Sequence, residues 1–418
     1  MYKRPKGTQD IFGEKQKYTN YIISLLETMS KFYNYKKIDT PIFESNDLFT
    51  NSVGETTDIV SKEMYNFKDK KGRNLVLKPE GTASIIRAFI ENKLFSKSMP
   101  VKLFYITPLF RYERPQKGRQ RQFTQFGVEL IGSNSPAADA EIIIFGNNIL
   151  KQLKINKTKL LINSLGDKDS RDNYSKALKK FLNNYKEQLS EISIKRLNKN
   201  PLRILDDKLD SKKEFMKKAP KLSEFLNAKS KNYLKGVLDI LDASNVEYEL
   251  SEKLVRGLDY YTDIVFEFVS ESKTSGSQST LIGGGRYDNM INKFGGPELP
   301  ATGFGLGIER IVNELEDLEL KLEDSLDIYL INLEIELTSA TSALVNMLRM
   351  AGFKVESNLS PIKLNKGFEK AKNEKAKFVI IAGSKELKEG KVIIKNQETA
   401  KQDKISIEKI VDFLNERL

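Results

Sequence analysis

Between Val101 and Gly132, polar and apolar residues alternate in two runs around a loop of Arg, Lys, Gln, Gly and Pro. That pattern predicts a long antiparallel hairpin. Successive strand residues point to opposite sides, so Arg111 and Glu113 share a face about 7 Å apart, as do Gln125, Gly127 and Glu129 on the returning strand. Phe126, Val128 and Leu130 fall on the other face, as does Thr124, and read as core. The polar face therefore carries a cation, two carboxylates and an amide at fixed spacing. A ligand site and a solvated face laced with weak surface ion pairs account for it equally well at this point.

The same periodicities extend along the chain. Tyr18, Ile22, Leu25, Leu26, Met29 and Phe32 predict an amphipathic helix over Glu14–Tyr33. A short strand broken by Pro41 follows. The apolar patch beside it, Ile42, Phe43, Leu48 and Phe49, suits ordinary core packing or a subunit interface. Strands are expected at Glu63–Lys68 and Asn74–Leu77, then a turn, KPEGT, and a helix from about Ala83. Glu80 and Thr82 sit at that strand-to-helix junction, where a side chain can face a ligand and where Thr82 also fits a helix cap. A helix at Ala137–Gln152 and a strand at Lys159–Asn163 come next.

From about residue 167 to 248 the chain turns Lys-, Leu-, Asn- and Ser-rich with helical period, as expected of an inserted helical subdomain. Its basic surface fits RNA contact and simple solvation equally. Alternation resumes from Tyr261 to Phe268. Gly283 to Gly285 allow close backbone approach. Gly303, Gly305 and Gly307 alternate with Phe304, Leu306 and Ile308, the pattern of a strand passing tightly behind a ligand and delivering Arg310 on the first turn of a helix. The spacing is not that of a dinucleotide fingerprint. A charged linker is expected over Glu314–Asp324. Beyond it, strands at Leu326–Asn332, near Val355, Phe378–Ala382 and Lys391–Lys395 alternate with helices at Thr338–Met350, Leu364–Lys375 and Ser406–Leu418. That alternation predicts a small α/β domain with a largely parallel sheet. The expected division is residues 1–325 and 326–418.

Composition narrows the chemistry. The 418 residues include neither Cys nor His, which excludes Ser-His-Asp and Cys-His catalysis, thiolate metal sites and imidazole acid-base chemistry. Carboxylates, Arg, Lys, Tyr and backbone amides remain. A net charge of +12 and pI near 9.3 suit a polyanion partner or a lysine-rich solubility strategy. No apolar run reaches the length of a signal peptide or membrane span, so the chain is expected to be soluble and cytoplasmic, with no membrane association.

FRYERPQKGRQRQF…GVE, KPEGT, VRGLDYYT, LIGGGRYD and GFGLGIER occur in that order. Together they resemble the histidyl-tRNA synthetase family of class II aminoacyl-tRNA synthetases. The resemblance covers the whole chain. It implies an α+β catalytic domain built on an antiparallel sheet with a helical insertion, plus a C-terminal α/β anticodon-binding domain. It also implies activation of L-histidine by ATP with Mg²⁺, transfer to the 3′ end of the histidine tRNA, and a homodimer built through the Pro41 segment.

Residue by residue, the resemblance assigns Arg111 and Arg256 to the reacting phosphate as catalytic groups, and Arg111, Glu113, Arg119 and Arg310 to ATP. Glu80, Thr82, Gln125, Glu129, Arg256, Tyr260, Tyr261 and Tyr287 are assigned to histidine, and Arg114 and Gln116 to the tRNA end. Two positions depart from the family pattern. Thr124 stands where many members have His, and Lys78 where Arg is common. With no histidine of its own, the chain can be synthesised without consuming the substrate that this resemblance implies.

Overall fold

In the computed structural model, described for residues 2–54, 57–205, 207, 209–255, 260–272, 279–322 and 325–418, the alternating runs form strands Val101–Phe110 and Gln122–Ile131. They pair antiparallel from Val101 opposite Ile131 to Phe110 opposite Gln122. Eight strands make the large sheet, in the spatial order Lys36–Lys37, Val101–Phe110, Gln122–Ile131, Ala301–Gly307, Thr280–Arg286, Thr262–Ser270, Thr158–Ser164 and Glu249–Leu250. Only the two short edge strands pair parallel. The apolar face of the hairpin packs as predicted. Phe126, Val128 and Leu130 are buried, and Phe126 meets the rings of Phe104, Phe145 and Phe304 at centroid distances of 5.9–6.3 Å. Phe145 comes from the helix Pro136–Gln152, which starts where Ser135 accepts a hydrogen bond from Ala137 N and Pro136 fixes the first turn.

A smaller sheet of Phe43–Ser45, Asn74–Leu77 and Tyr65–Lys68 leads to the KPEGT turn. Its third strand begins two residues later than expected, because Ile59–Glu63 forms a turn of π-helix. The apolar patch beside Pro41 divides. Phe49 is fully buried, whereas Ile42 and Phe43 remain 45% and 55% exposed.

The inserted segment contains helices Lys168–Asn183, Glu191–Lys199 and Ala228–Ala243, capped by Asp167, Ser190 and Asn227. It is tied to the sheet by a buried polar cluster. Arg286 donates to Asp139 Oδ2 through Nε at 2.9 Å and Nη2 at 2.7 Å, Tyr233 of the third insertion helix donates to the same oxygen at 2.7 Å, and Arg286 Nη1 reaches Asp288 at 3.1 Å. Such a pair holds only while every partner is present, and losing one costs about 3–5 kcal/mol.

Residues up to Leu320 form one compact unit and those from Lys321 another. The helix after Gly307 runs Ile308–Asp317, with Leu315 and Glu314 buried, so the segment expected to open a linker at Glu314 belongs instead to the first core. The second unit has the sheet order Val355–Ser357, Ile328–Asn332, Phe378–Ala382, Lys391–Asn396 and Gln402–Ser406. The first three strands are parallel, but the last two pairings are antiparallel. The fifth strand replaces the start of the expected helix at Ser406, and the final helix is confined to Ile410–Asn415. No helix among the described residues is long and apolar enough to cross a membrane.

Candidate active site

Above the polar face of the hairpin lies a pocket partly open to solvent, lined from Glu80 and Thr82 to Arg111, Arg119 and Arg310. Its two ends differ in chemistry, and each is set by a different local structure.

At one end is the KPEGT junction. Glu80 accepts from the backbone amides of Thr82 at 2.9 Å and Ala83 at 2.8 Å, so it caps the helix Thr82–Glu91. Capping thus falls to Glu80 rather than to Thr82, whose hydroxyl is released to donate to Glu129 Oε1 at 2.8 Å. Burial raises the Glu80 carboxyl above its usual range, and the two amides oppose that rise. Glu129 lies in the layer below, 1% exposed, and also receives the hydroxyls of Tyr287 and, at 3.4 Å, Tyr105. Burial pushes it up to about 8 while these hydroxyls pull it back. The neighbouring strand must pass without a side chain, since a Cβ on Gly303 would come within 2.1 Å of Glu129 Oε2. Tyr260 and Tyr261 pack with centroids 4.7 Å apart, and Tyr260 meets Tyr287 edge-on at 5.7 Å. All three tyrosines line the pocket, as do Glu80, Thr82 and Gln125. From the insertion, Arg171 holds the Tyr261 carbonyl at 2.8 Å.

At the other end three guanidinium groups converge. Arg111 donates from Nε to Pro79 O at 2.8 Å and lies 5.4 Å from the centroid of Phe123. Arg119 pairs with Glu113 at 2.9 Å, and Arg111 stands 4.0 Å from the same carboxylate. Arg310, on the first turn of the helix after Gly307 as expected, reaches Gly118 O at 3.2 Å and Thr280 O. Burial, then the charges of Arg119 and Arg111, lower Arg310 to about 10. Guanidinium groups gathered this closely form a ready site for a polyanion. One geometric expectation changes. Arg111 and Glu113 lie beyond the last strand residue, Phe110, so strand spacing does not place them; a turn does, with Glu113 N bonded to Arg111 O at 2.8 Å.

The loop between the strands closes on itself, with Gln116 and Arg119 exchanging backbone hydrogen bonds at 3.2 and 2.9 Å. Arg114 and Gln116 are exposed on it. The loop is braced from outside the hairpin: Gly7 O accepts from Arg121 N at 2.7 Å, and the Arg121 guanidinium lies 3.8 Å from the Tyr112 ring centroid. Thr124 faces away from the pocket, as alternation predicts. Its amide donates to Glu309 at 2.8 Å beside a separate cavity that Ile11 and Val312 also line. Lys78 is completely buried with Nζ on Thr40 O at 3.1 Å and Thr40 Oγ1 at 3.2 Å, and burial pushes it down to about 8. It faces the Pro41 segment and is not among the pocket residues. Arg256 lies outside the described residues.

Two residues beside the site escaped the sequence reading. Phe123 supports Arg111 and shares its wall. Tyr105 lies under Gln125 and Glu129. The available signal for Tyr105 was the glycine between those two polar residues, which marks a place where something large must pass.

Comparisons with known proteins identify the family. The family model described as histidyl-tRNA synthetase matches residues 7–311, and that described as anticodon binding domain matches residues 327–417. A histidine–tRNA ligase of Oceanobacillus iheyensis is 43% identical over 100% of this chain and 98% of its own length, and one of Bacillus subtilis is 43% identical over 99% and 98%. The crystal structure of apo histidyl-tRNA synthetase from S. aureus superposes with a TM-score of 0.85 at 37% identity, covering 99% of this chain and 100% of that one. With the family model, the relatives and the antiparallel sheet fold in agreement, the chain belongs to the histidyl-tRNA synthetase family.

Proposed function

We propose that this pocket joins L-histidine to ATP, forming histidyl-adenylate and pyrophosphate, and then passes histidine to the 3′ end of the histidine tRNA. The family uses ATP and charges tRNA with histidine. The observation that carries the assignment to this pocket is its polarity: three arginines at one end, and at the other the buried Glu80 with three tyrosines, Glu129 lying directly beneath them on the Tyr287 and Thr82 hydroxyls.

In this reading the arginine end takes the triphosphate. Arg111 stabilises charge on the α-phosphate as the histidine carboxylate attacks, Arg310 and Arg119 hold the outer phosphates, and Glu113 accepts from the adenine amino group. Arg256 contacts the reacting phosphate from the histidine side. Glu80, Thr82 and Gln125 supply acceptors for the ammonium. Glu129, assisted by Tyr287 and with Tyr260 and Tyr261 alongside, reads the imidazole. An apolar amino acid would leave these buried groups unpaired, which is a strong basis for selection. Transfer relies on positioning of the terminal hydroxyl.

Mg²⁺ fits as an ion that arrives with the nucleotide. Among the described residues no cluster of three acidic side chains could cage a metal, so phosphate oxygens would supply the coordination and Mg²⁺ would neutralise their charge. Arg114 and Gln116, exposed on the loop, face the tRNA acceptor end in this reading, and residues 326–418 read the anticodon. The exposed Ile42, Phe43 and Phe67, the last two ring-to-ring at 6.4 Å, supply an apolar patch for a homodimer. The enzyme works in the cytoplasm.

Exchange of labelled pyrophosphate into ATP, run with each of the twenty amino acids, tests the proposal. Exchange should depend on histidine alone; none with folded protein would overturn it. Arg256→Ala should nearly abolish exchange and leave tRNA binding intact.

A further inference from the structure

Tyr105 does not line the pocket, yet two of the residues assigned to histidine hang on its hydroxyl. It stands on the outgoing hairpin strand directly opposite Gly127. Its ring occupies the space a side chain would need there: a Cβ on Gly127 would lie 2.2 Å from the ring, and one on Gly81 2.4 Å. The ring is thereby locked, 2% exposed. Its oxygen receives Gln125 Nε2 at 3.0 Å and faces Glu129 Oε1 at 3.4 Å.

A phenol has one proton to give. Burial and the nearby carboxylates hold that proton on the oxygen far above the usual range, and the acceptor beside it is Glu129. Toward Gln125 the hydroxyl then offers only a lone pair. The amide must turn its NH₂ to Tyr105, which leaves its carbonyl oxygen for the pocket. An ammonium group carries only donors, so the opposite orientation would set NH₂ against NH₃⁺.

We propose that Tyr105 is a positioning residue that sets the Gln125 amide as an acceptor for the ammonium of the amino-acid substrate. This rests on the reading that Gln125 and Glu129 hold histidine. The step is conformational only, with no proton or bond transferred.

Histidine-dependent pyrophosphate exchange by wild type, Tyr105→Phe, Gln125→Ala and the double variant tests it, alongside competitive inhibition by 3-(imidazol-4-yl)propanoate, which is histidine without its ammonium. Tyr105→Phe keeps the ring, and its melting curve checks that the fold is retained. It should raise KM for histidine about 10-fold while changing kcat, KM for ATP and inhibition by the analogue less than about 2-fold. In the Gln125→Ala background the same substitution should add less than about 2-fold. Equal weakening of histidine and the analogue would place the effect on Glu129 or on general packing and overturn the proposal, as would effects that multiply in the double variant. If Gln125→Ala alone leaves KM for histidine unchanged, the histidine-site reading falls and takes the proposal with it.

Discussion

The two ends of the pocket meet the same requirement, keeping ionisable groups in a partly dry place, in opposite ways. At the end proposed for histidine the carboxyl groups are buried and already receive hydrogen bonds: Glu80 from two backbone amides, Glu129 from three hydroxyls. At the end proposed for ATP, Arg111, Arg119 and Arg310 crowd near one carboxylate, and Arg310 is lowered to about 10 by burial and its fellow cations. The first end is arranged to reject what cannot replace its hydrogen bonds. The second is arranged to attract anything strongly anionic and relies on geometry to orient it. Discrimination and attraction are thus separated within one cavity.

This contrast can be broken at several points. Arg111→Ala should cut kcat for activation by about 10³-fold, the scale of losing a preorganised charge at a reacting oxyanion, with KM for histidine moving far less. A loss under about 10-fold in pyrophosphate exchange would remove Arg111 from the chemistry. Glu129→Gln should lower kcat/KM for histidine by about 100-fold and leave KM for ATP unchanged, since it puts an NH₂ donor where a carboxyl oxygen accepts hydroxyl hydrogen bonds, at the discriminating end alone. Arg310→Lys keeps charge but loses the planar fork, so KM for ATP should rise about 10-fold with histidine unaffected.

The apoenzyme's pH dependence sharpens the contrast further. Glu129 is raised from its ordinary 4.5 to about 8, so the neutral form suits the fold; its contribution is complete below 4.5 and lost as pH rises through about 8. Lys78 is lowered from 10.5 to about 8, so its contribution is complete above 10.5 and lost as pH falls through about 8. Glu129→Gln should therefore raise the melting temperature mainly above about pH 8, and Lys78→Met mainly below it. Melting curves at about pH 6 and pH 9 check both signs. The smallest effect concerns salt. Going from about 50 to 300 mM should raise KM for ATP a few-fold and KM for histidine less than about 2-fold, because ATP brings several negative charges to the arginines whereas histidine carries little net charge.

Much of this was legible from alternation. It put Gln125 and Glu129 on one face, sent Thr124 to the other, and placed Arg310 on a first helical turn after the glycine strand. It failed where a contact crosses between strands or where a turn replaces a strand. Tyr105 reads as one more apolar strand residue until register sets it opposite Gly127. Arg111 and Glu113 are held by a turn that strand spacing does not describe. Glu80 took the cap expected of Thr82 because a longer carboxylate reaches two amides from outside the helix. In the second unit, the pattern predicts no strand over Gln402–Ser406 and a helix opening at Ser406; the backbone bond from Asn396 N to Lys401 O closes a hairpin and makes the segment a strand. Nothing local announces that pairing.

The brace of Gly7 on Arg121 has a consequence for how the protein is made. The support for the ATP loop joins residues over a hundred positions apart, a contact whose closure entropy and sequence separation place it late in folding. With translation at about 5–20 residues per second, the segment around Gly7 leaves the ribosome on the order of ten seconds before its partner is synthesised. For that interval it has no native place to bind. A nascent-chain protease or chaperone meets residues 2–10 before the enzyme has anywhere to put them, and the loop of the hairpin is finished by a piece of chain made well before it.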